Sequence, residues 1–185
     1  MTKIATETKT MPRILVVTND STVFLSKRLD SAFNMFGGRA TEVKKLVARL
    51  DTLTDDSGRK LCDVSFGVIT TKYGFVPGNY MIAPYEDVMS DADGYRKADE
   101  EKNFVDQVSY LTRPFDKTIM CIPKEMFRMF LDANYIWDGK LIAVTSPEFK
   151  DECEKRGWIF LERSGARVGN ENADRIEEIV RELCA

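Results

Sequence analysis

Apolar residues follow two rhythms along this chain. Short, nearly unbroken runs recur at residues 14–17, 62–69, 118–122, 141–144 and 158–161. Each run gives way to residues that favour turns or helix caps, the pattern of strands buried on both faces. Between the runs apolar residues return at helical spacing. Ala40, Val43, Leu46, Val47 and Leu50 share one face of a predicted helix over 39–50 and leave Glu42, Lys44, Lys45 and Arg49 for water. A second helix is predicted over 97–111, burying Phe104, Val105, Val108 and Leu111, with Pro114 preventing continuation. Pro123 opens a third helix carrying Met126, Phe127, Phe130 and Leu131; a shorter one holds Phe149 and Cys153. The last carries Ala173, Ile176, Ile179, Val180 and Leu183.

Two stretches resist this reading. Residues 22–36 fit a helix lined by Val23, Phe24, Leu25, Leu29 and Phe33, and equally a long loop that Gly37 and Gly38 end. Residues 78–96 mix Gly, Asn, Pro and Asp without a period and are expected to form a long surface excursion. Residues 1–11 are polar and are read as a mobile tail before Pro12. Strands that alternate with helices need crossovers between parallel neighbours. The expectation is therefore one three-layer α/β domain over 12–185, with a mostly parallel sheet of about five strands and helices on both faces.

Composition narrows the chemistry. The 185 residues, 43 % hydrophobic, suffice for one good-sized core without a disulfide framework. Cys62, Cys121, Cys153 and Cys184 are widely spaced and form no Cys-x-x-Cys pair, which fits a reducing cytosol, and no long apolar span points to a membrane. The chain has no histidine, which removes Ser-His and Cys-His nucleophile pairs and histidine-based zinc sites. The net charge of −3 divides into +4 for residues 1–60, −5 for 61–110 and −2 for 111–185. An interface resting on phosphate neutralisation alone calls for a stronger basic excess, although a local basic face at Lys27, Arg28 and the 39–49 helix keeps nucleic acid as an alternative partner.

In parallel α/β sheets ligands bind outside the carboxyl ends of the strands. Those ends carry Thr18, Asn19 and Asp20; Thr71, Lys72, Tyr73 and Gly74; Pro123 and Lys124; Thr145 and Ser146; and the turn 163–170. That last turn holds Arg163, Ser164, Arg167 and Asn170 together with Gly165 and Gly169 just before a helix, a seat for a phosphate or carboxylate. Helix capping and turn geometry account for the same Ser, Thr, Asn and Gly residues without any ligand. The turn matches neither a Walker loop nor Gly-x-Gly-x-x-Gly, so no cofactor is expected. Glu86, Asp87, Asp91 and Asp93 lack the spacing of a calcium loop, so no metal site is expected either.

The leading expectation is a phosphate-bearing small molecule, nucleotide or exposed nucleobase bound at the strand ends. Lys72 and Arg167 would hold the anion, and Tyr73 or Tyr85 would stack or donate a hydrogen bond. Asn19 and Asp20 would orient polar groups or, with Lys72, carry any acid/base chemistry. Pro84 restricts Ala83 to an extended conformation, so that residues 82–85 form a rigid strut placing the Tyr85 hydroxyl near Thr71 or Asn19. A non-catalytic nucleic-acid module and a scaffold docking a protein through the 78–96 loop are the alternatives.

The stretch Tyr73-Gly74-Phe75-x-Pro77, followed by Ile82-x-Pro84-Tyr85 and Met89, resembles the Tyr-Gly-hydrophobic, Pro, Ile-x-Pro-Tyr signature of the YaaA peroxide-stress proteins. It is closer to a smaller, largely uncharacterised bacterial and archaeal domain family with Ser/Ala-Lys-Tyr-Gly-Leu at that place. The first strand, Ser26-Lys27-Arg28 and the glycines before the first sure helix also resemble that smaller family. The resemblance implies a link to stress protection and to nucleic acids or nucleobases. It departs at Thr18-Asn19-Asp20, where the smaller family tends to have Ser and Cys.

Overall fold

The computed structural model describes residues 10–134 and 138–184; the tail expected at 1–11 therefore falls largely, at 1–9, outside the described residues. In chain order the elements are β1 (Arg13–Asn19), β2 (Asp30–Ser31), α1 (Ala32–Met35), α2 (Ala40–Asp51), β3 (Asp63–Thr70), β4 (Gly74–Pro77) and β5 (Met81–Ile82). They continue with α3 (Ala92–Lys102), α4 (Phe104–Leu111), β6 (Lys117–Cys121), α5 (Lys124–Asp132), β7 (Leu141–Thr145), a 3₁₀ turn (Pro147–Phe149), α6 (Lys150–Lys155), β8 (Ile159–Glu162) and α7 (Asn170–Cys184).

Six strands form one sheet in the order β4-β3-β1-β6-β7-β8. All neighbours pair parallel except β3 and β4, which are antiparallel. The five parallel strands, counted along the chain, stand in the order 2-1-3-4-5 of a doubly wound sheet. The winding reverses between β1 and β6, so the crevice for a ligand opens there.

The sheet is covered on both faces because alternate residues of each strand point opposite ways. Ile14, Val16, Val68, Ile119 and Val144 share a core with Val43, Leu46 and Leu50 of α2 and Ile176 and Val180 of α7. Leu15, Val17, Ile69, Met120 and Ala143 pack with Phe104 and Val108 of α4, Phe127 and Phe130 of α5, and Trp158. Among the described residues no helix is long and apolar enough to cross a membrane.

Three expectations change. The predicted 97–111 helix is two helices, α3 and α4, broken at Asn103, whose φ of 59° is left-handed. Asp99 Oδ1 accepts from the Val105 amide and so caps α4 from the preceding helix. The α3 sequence is so polar that only Tyr95 and Ala98 are buried, which is why its first half reads as loop. Leu111, expected inside, is 45 % exposed. Residues 22–31 form no helix: the segment crosses the surface with Val23, Leu25 and Leu29 exposed, and β2 pairs antiparallel with β5. Finally, the chain does not leave the sheet at Gly74. Residues 71–73 are the three-residue loop of a hairpin, with Thr70 paired to Gly74 and β4 as an antiparallel edge.

Gly74 closes that hairpin at φ 73°, and a Cβ there would lie 2.7 Å from Gln107 Oε1, the atom that accepts the Phe75 amide. Gly74→Ala is expected to lower unfolding stability by about 1–3 kcal/mol, the usual cost of one residue held in a disfavoured backbone region. Urea titration of the two proteins checks this; equal midpoints would refute the turn's dependence on glycine.

Candidate functional site

The carboxyl end of β1 leaves its last carbonyls without a strand partner, and a single side chain answers them. Arg167, 4 % exposed, donates from one terminal nitrogen to Thr18 Oγ1 at 3.1 Å and to the Asn19 carbonyl at 2.6 Å. Its other terminal nitrogen donates to the Asp20 carbonyl at 2.9 Å. Thr18 in turn donates to the Cys121 carbonyl at 2.8 Å, tying β1 to the end of β6. Burial and the neighbouring Arg163 push the Arg167 guanidinium down to about 10. Arg163 is itself spent on carbonyls, those of Ile122 at 2.6 Å and Ala166 at 3.1 Å.

Asp20 is the other buried charge, 1 % exposed. Its Oδ2 accepts from the Thr71 amide at 2.8 Å, the Thr71 hydroxyl at 2.8 Å and the Tyr85 hydroxyl at 2.6 Å. Thr71 Oγ1 also accepts the Met89 amide at 3.0 Å, so the strap after Tyr85 is fastened to the same carboxylate. Burial holds the Asp20 carboxyl above its ordinary value despite these three donors. Burial, then the adjacent Asp20 charge, raises the Tyr85 phenol strongly.

These groups border a crevice of about 450 Å³ at the winding reversal, lined by Asn19 and Asp20 from β1, Arg39 before α2, Met89 of the strap, Tyr95 of α3, Pro123 after β6, and Arg163 and Arg167. A second cavity of about 360 Å³ lies against Thr71, Tyr85 and Met89 and is rimmed by Lys72, Lys97 and Lys102 together with Glu86, Asp87 and Glu101. The first is strongly cationic, the second balanced. Within the first, Asn19 Oδ1, Asp20 Oδ1 and Arg167 Nε are buried without a hydrogen-bond partner among the described residues, as is Thr145 Oγ1 at the end of β7. Native interiors rarely leave such atoms unanswered, and here they gather at the strand ends.

The expected residues thus divide. Thr18, Asn19, Asp20, Thr71, Tyr85 and Arg167 meet in one network. Lys72 does not join Arg167: it borders the other cavity, exposed, with Nζ 5.4 Å from the Tyr73 ring centre. Tyr73 lines neither cavity; its hydroxyl accepts the Ala83 amide at 3.2 Å and its ring meets Tyr85 edge-on at 5.9 Å. The Tyr85 hydroxyl, expected near Thr71 or Asn19, donates instead to Asp20, the residue after Asn19. Gly74 serves the hairpin alone, and Ser164 and Asn170 are exposed and line neither cavity.

The anion seat expected at 163–170 is taken by the protein's own carboxylate. Glu42 accepts from the amides of Arg167, Val168 and Gly169, through Oε1 for the first two and Oε2 for the third. The basic face of α2 is in part engaged inside the domain: Lys44 donates to the Phe36 carbonyl at 2.9 Å and Arg49 pairs with Asp174 and Glu177, while Lys45 is exposed. Sequence reasoning missed Arg39 and Tyr95. The pair Gly37-Gly38 directly before Arg39, and a lone aromatic in a polar helix, were the signals available. Comparison of the chain with known protein families, curated proteins and solved structures found no match.

Two outcomes follow from the Asp20 network. Tyr85→Phe removes one donor from a buried carboxylate and is expected to lower stability by about 1–3 kcal/mol. Tyr85→Ala also removes the ring packed on Phe24 and Phe36 and should approach the roughly 3–5 kcal/mol of a buried aromatic truncation. Unchanged stability in Tyr85→Phe would remove the hydroxyl from the network. The second outcome is a pH slope. The folded state holds the Asp20 proton more tightly than the unfolded chain, whose ordinary value is 3.8. Stability from Asp20 is therefore greatest below that value and falls as pH rises through the raised one. Urea unfolding from about pH 4 to about pH 7 should show a steeper decline in the wild type than in Asp20→Asn; parallel curves would contradict the raised carboxyl.

Proposed function

We propose that this domain binds a phosphate-bearing small molecule of the nucleotide class in the crevice between the carboxyl ends of β1 and β6. The observation that carries this reading is the charge imbalance of that crevice. Arg163 and Arg167 hold their positive charge against neutral carbonyls, and Arg39 stands exposed at the rim with no hydrogen-bond or ion-pair partner among the described residues. The only carboxylate lining the crevice is Asp20. A bound anion would relieve the mutual repulsion of three guanidiniums in a partly desolvated space, where charge interactions are stronger than in water. The volume, about 450 Å³, lies within the roughly 300–1,000 Å³ of small-ligand sites.

Tyr95 offers a ring and a hydroxyl beside the cations and takes the stacking or donor role first assigned to Tyr73. Any reaction at this site would pass its proton through Asp20, whose raised carboxyl is suited to acid/base work. The resemblance of the Tyr73 to Met89 stretch to YaaA-like proteins is compatible with a nucleotide or nucleobase ligand. The nucleic-acid-module alternative is the weaker reading because two of the cations on which it drew, Lys44 and Arg49, are held within the domain, leaving it Lys27, Arg28, Arg39 and Lys45.

A thermal-shift panel of nucleotides, nucleobases and inorganic phosphate tests the reading. A probe present at a hundred times its dissociation constant should stabilise the protein by about 2.7 kcal/mol. Arg39→Ala, which breaks no hydrogen bond or ion pair among the described residues, should not lower the unliganded melting temperature and should reduce the response, whereas Lys72→Ala should leave the response intact. Silence across the whole panel, or a response indifferent to Arg39→Ala, would overturn the site.

A further inference from the structure

The crevice has a second imbalance that an anion does not relieve. Asn19 Oδ1 and Asp20 Oδ1 are acceptors on consecutive residues, 4 % and 1 % exposed, and both lack a donor. The other Asp20 oxygen already accepts three hydrogen bonds, so the carboxylate is fixed in orientation with one oxygen left over. The nearby arginines cannot serve that oxygen through their terminal nitrogens in their present pose. Those of Arg167 are committed to Thr18, Asn19 and Asp20 backbone or hydroxyl oxygens, and Arg163 reaches the Ile122 carbonyl. Arg167 Nε is itself buried and unpaired, so in this pose both acceptors are left open to donors from a ligand. The two ends of the crevice ask for opposite chemistry: an anion at the guanidiniums and hydrogen-bond donors at the end of β1.

The strap borders the acceptors' crevice. Val88, Met89 and Ser90 line it, and the Met89 amide is bonded to the Thr71 hydroxyl oxygen, whose proton goes to Asp20. Strap and carboxylate are thus linked through one threonine.

We propose, on the basis of the phosphate-ligand reading, that the crevice selects a phosphate ester bearing a pair of adjacent N–H or O–H donors, with Asn19 and Asp20 accepting them as the specificity-determining residues. In the nucleotide class such a pair comes from the ribose 2′,3′-diol or from the imino and amino groups along one edge of guanine. The two share the chemistry that two neighbouring acceptors recognise. A nucleoside without phosphate satisfies one end of the crevice only, and inorganic phosphate only the other.

Isothermal titration of the intact protein at one fixed salt concentration tests this with inorganic phosphate, guanosine 5′-monophosphate, its 2′,3′-dideoxy form and inosine 5′-monophosphate. Guanosine monophosphate is expected to bind at least about tenfold more tightly than inorganic phosphate, a difference of about 1.4 kcal/mol. Loss of that gain in the dideoxy form assigns the donors to the diol, and loss in the inosine form, which lacks the amino group, assigns them to the base. Asp20→Asn and Asn19→Ala should each remove most of the gain, read within each variant as the ratio of its affinity for guanosine monophosphate to its affinity for inorganic phosphate. Asn19→Ala serves if Asp20→Asn does not fold, and the wild-type series decides without either variant. Equal affinity across all four probes, or a gain that survives both substitutions in folded protein, overturns the donor-pair proposal and leaves the phosphate reading standing. No binding of any probe, inorganic phosphate included, overturns both.

Discussion

Arg167 crosses most of the sequence to hold the end of the first strand, and the geometry of the crevice depends on it. A parallel sheet leaves carbonyls open at the carboxyl ends of its strands, and at the centre of this sheet they are too enclosed for water to satisfy freely. One planar guanidinium answers three oxygens there, on Thr18, Asn19 and Asp20. Its own placement is secured by Glu42 on α2, which collects the amides at 167–169. First strand, second helix and last loop are thereby joined by charge-assisted hydrogen bonds, which are stronger than neutral ones. The arrangement spends the charge of Arg167 on dipoles and leaves it without a carboxylate directly bonded to it.

Asp20 shows the complementary solution. Three donors converge on one of its oxygens from the β3–β4 hairpin and from Tyr85, and burial still keeps its proton affinity above the ordinary value. Opposite charges at the end of one strand are thus both desolvated, and each is held mainly by neutral groups. Structural ion pairs usually gain their stability by direct contact, and a domain that needed these charges only for stability would do as well with apolar residues. Here the two charges are kept apart and partly unanswered.

An aromatic cluster packs beside Asp20. Phe24, Phe36, Tyr73 and Tyr85 meet edge to face with ring centres 5.0–6.4 Å apart, and the cluster holds Tyr85 where its hydroxyl reaches Asp20. Neighbours in sequence still differ in their surroundings: Thr71 turns to Asp20 while Lys72, the next residue, faces solvent.

The sequence by itself determined the α/β class, the five parallel strands and most helices, because uninterrupted apolar runs and helical spacing are local consequences of burial on two faces or one. It also located the strand ends, and with them Asn19, Asp20, Thr71, Tyr85 and Arg167. Where local signals were short or polar it was silent: β4 has four residues bounded by Gly and Pro, and α3 buries two side chains. Tertiary structure alone decided which candidates share a space. Lys72 and Arg167 both looked free to meet an anion, yet they line different cavities. The glycine-containing turn at 163–170 had the residues of an anion seat, yet Glu42, more than a hundred residues earlier, fills it. Arg39 became prominent only through strand order, since the winding reversal between β1 and β6 sets where the crevice opens. Those pairings rest on long-range contacts whose partners carry no mark of one another in a single sequence.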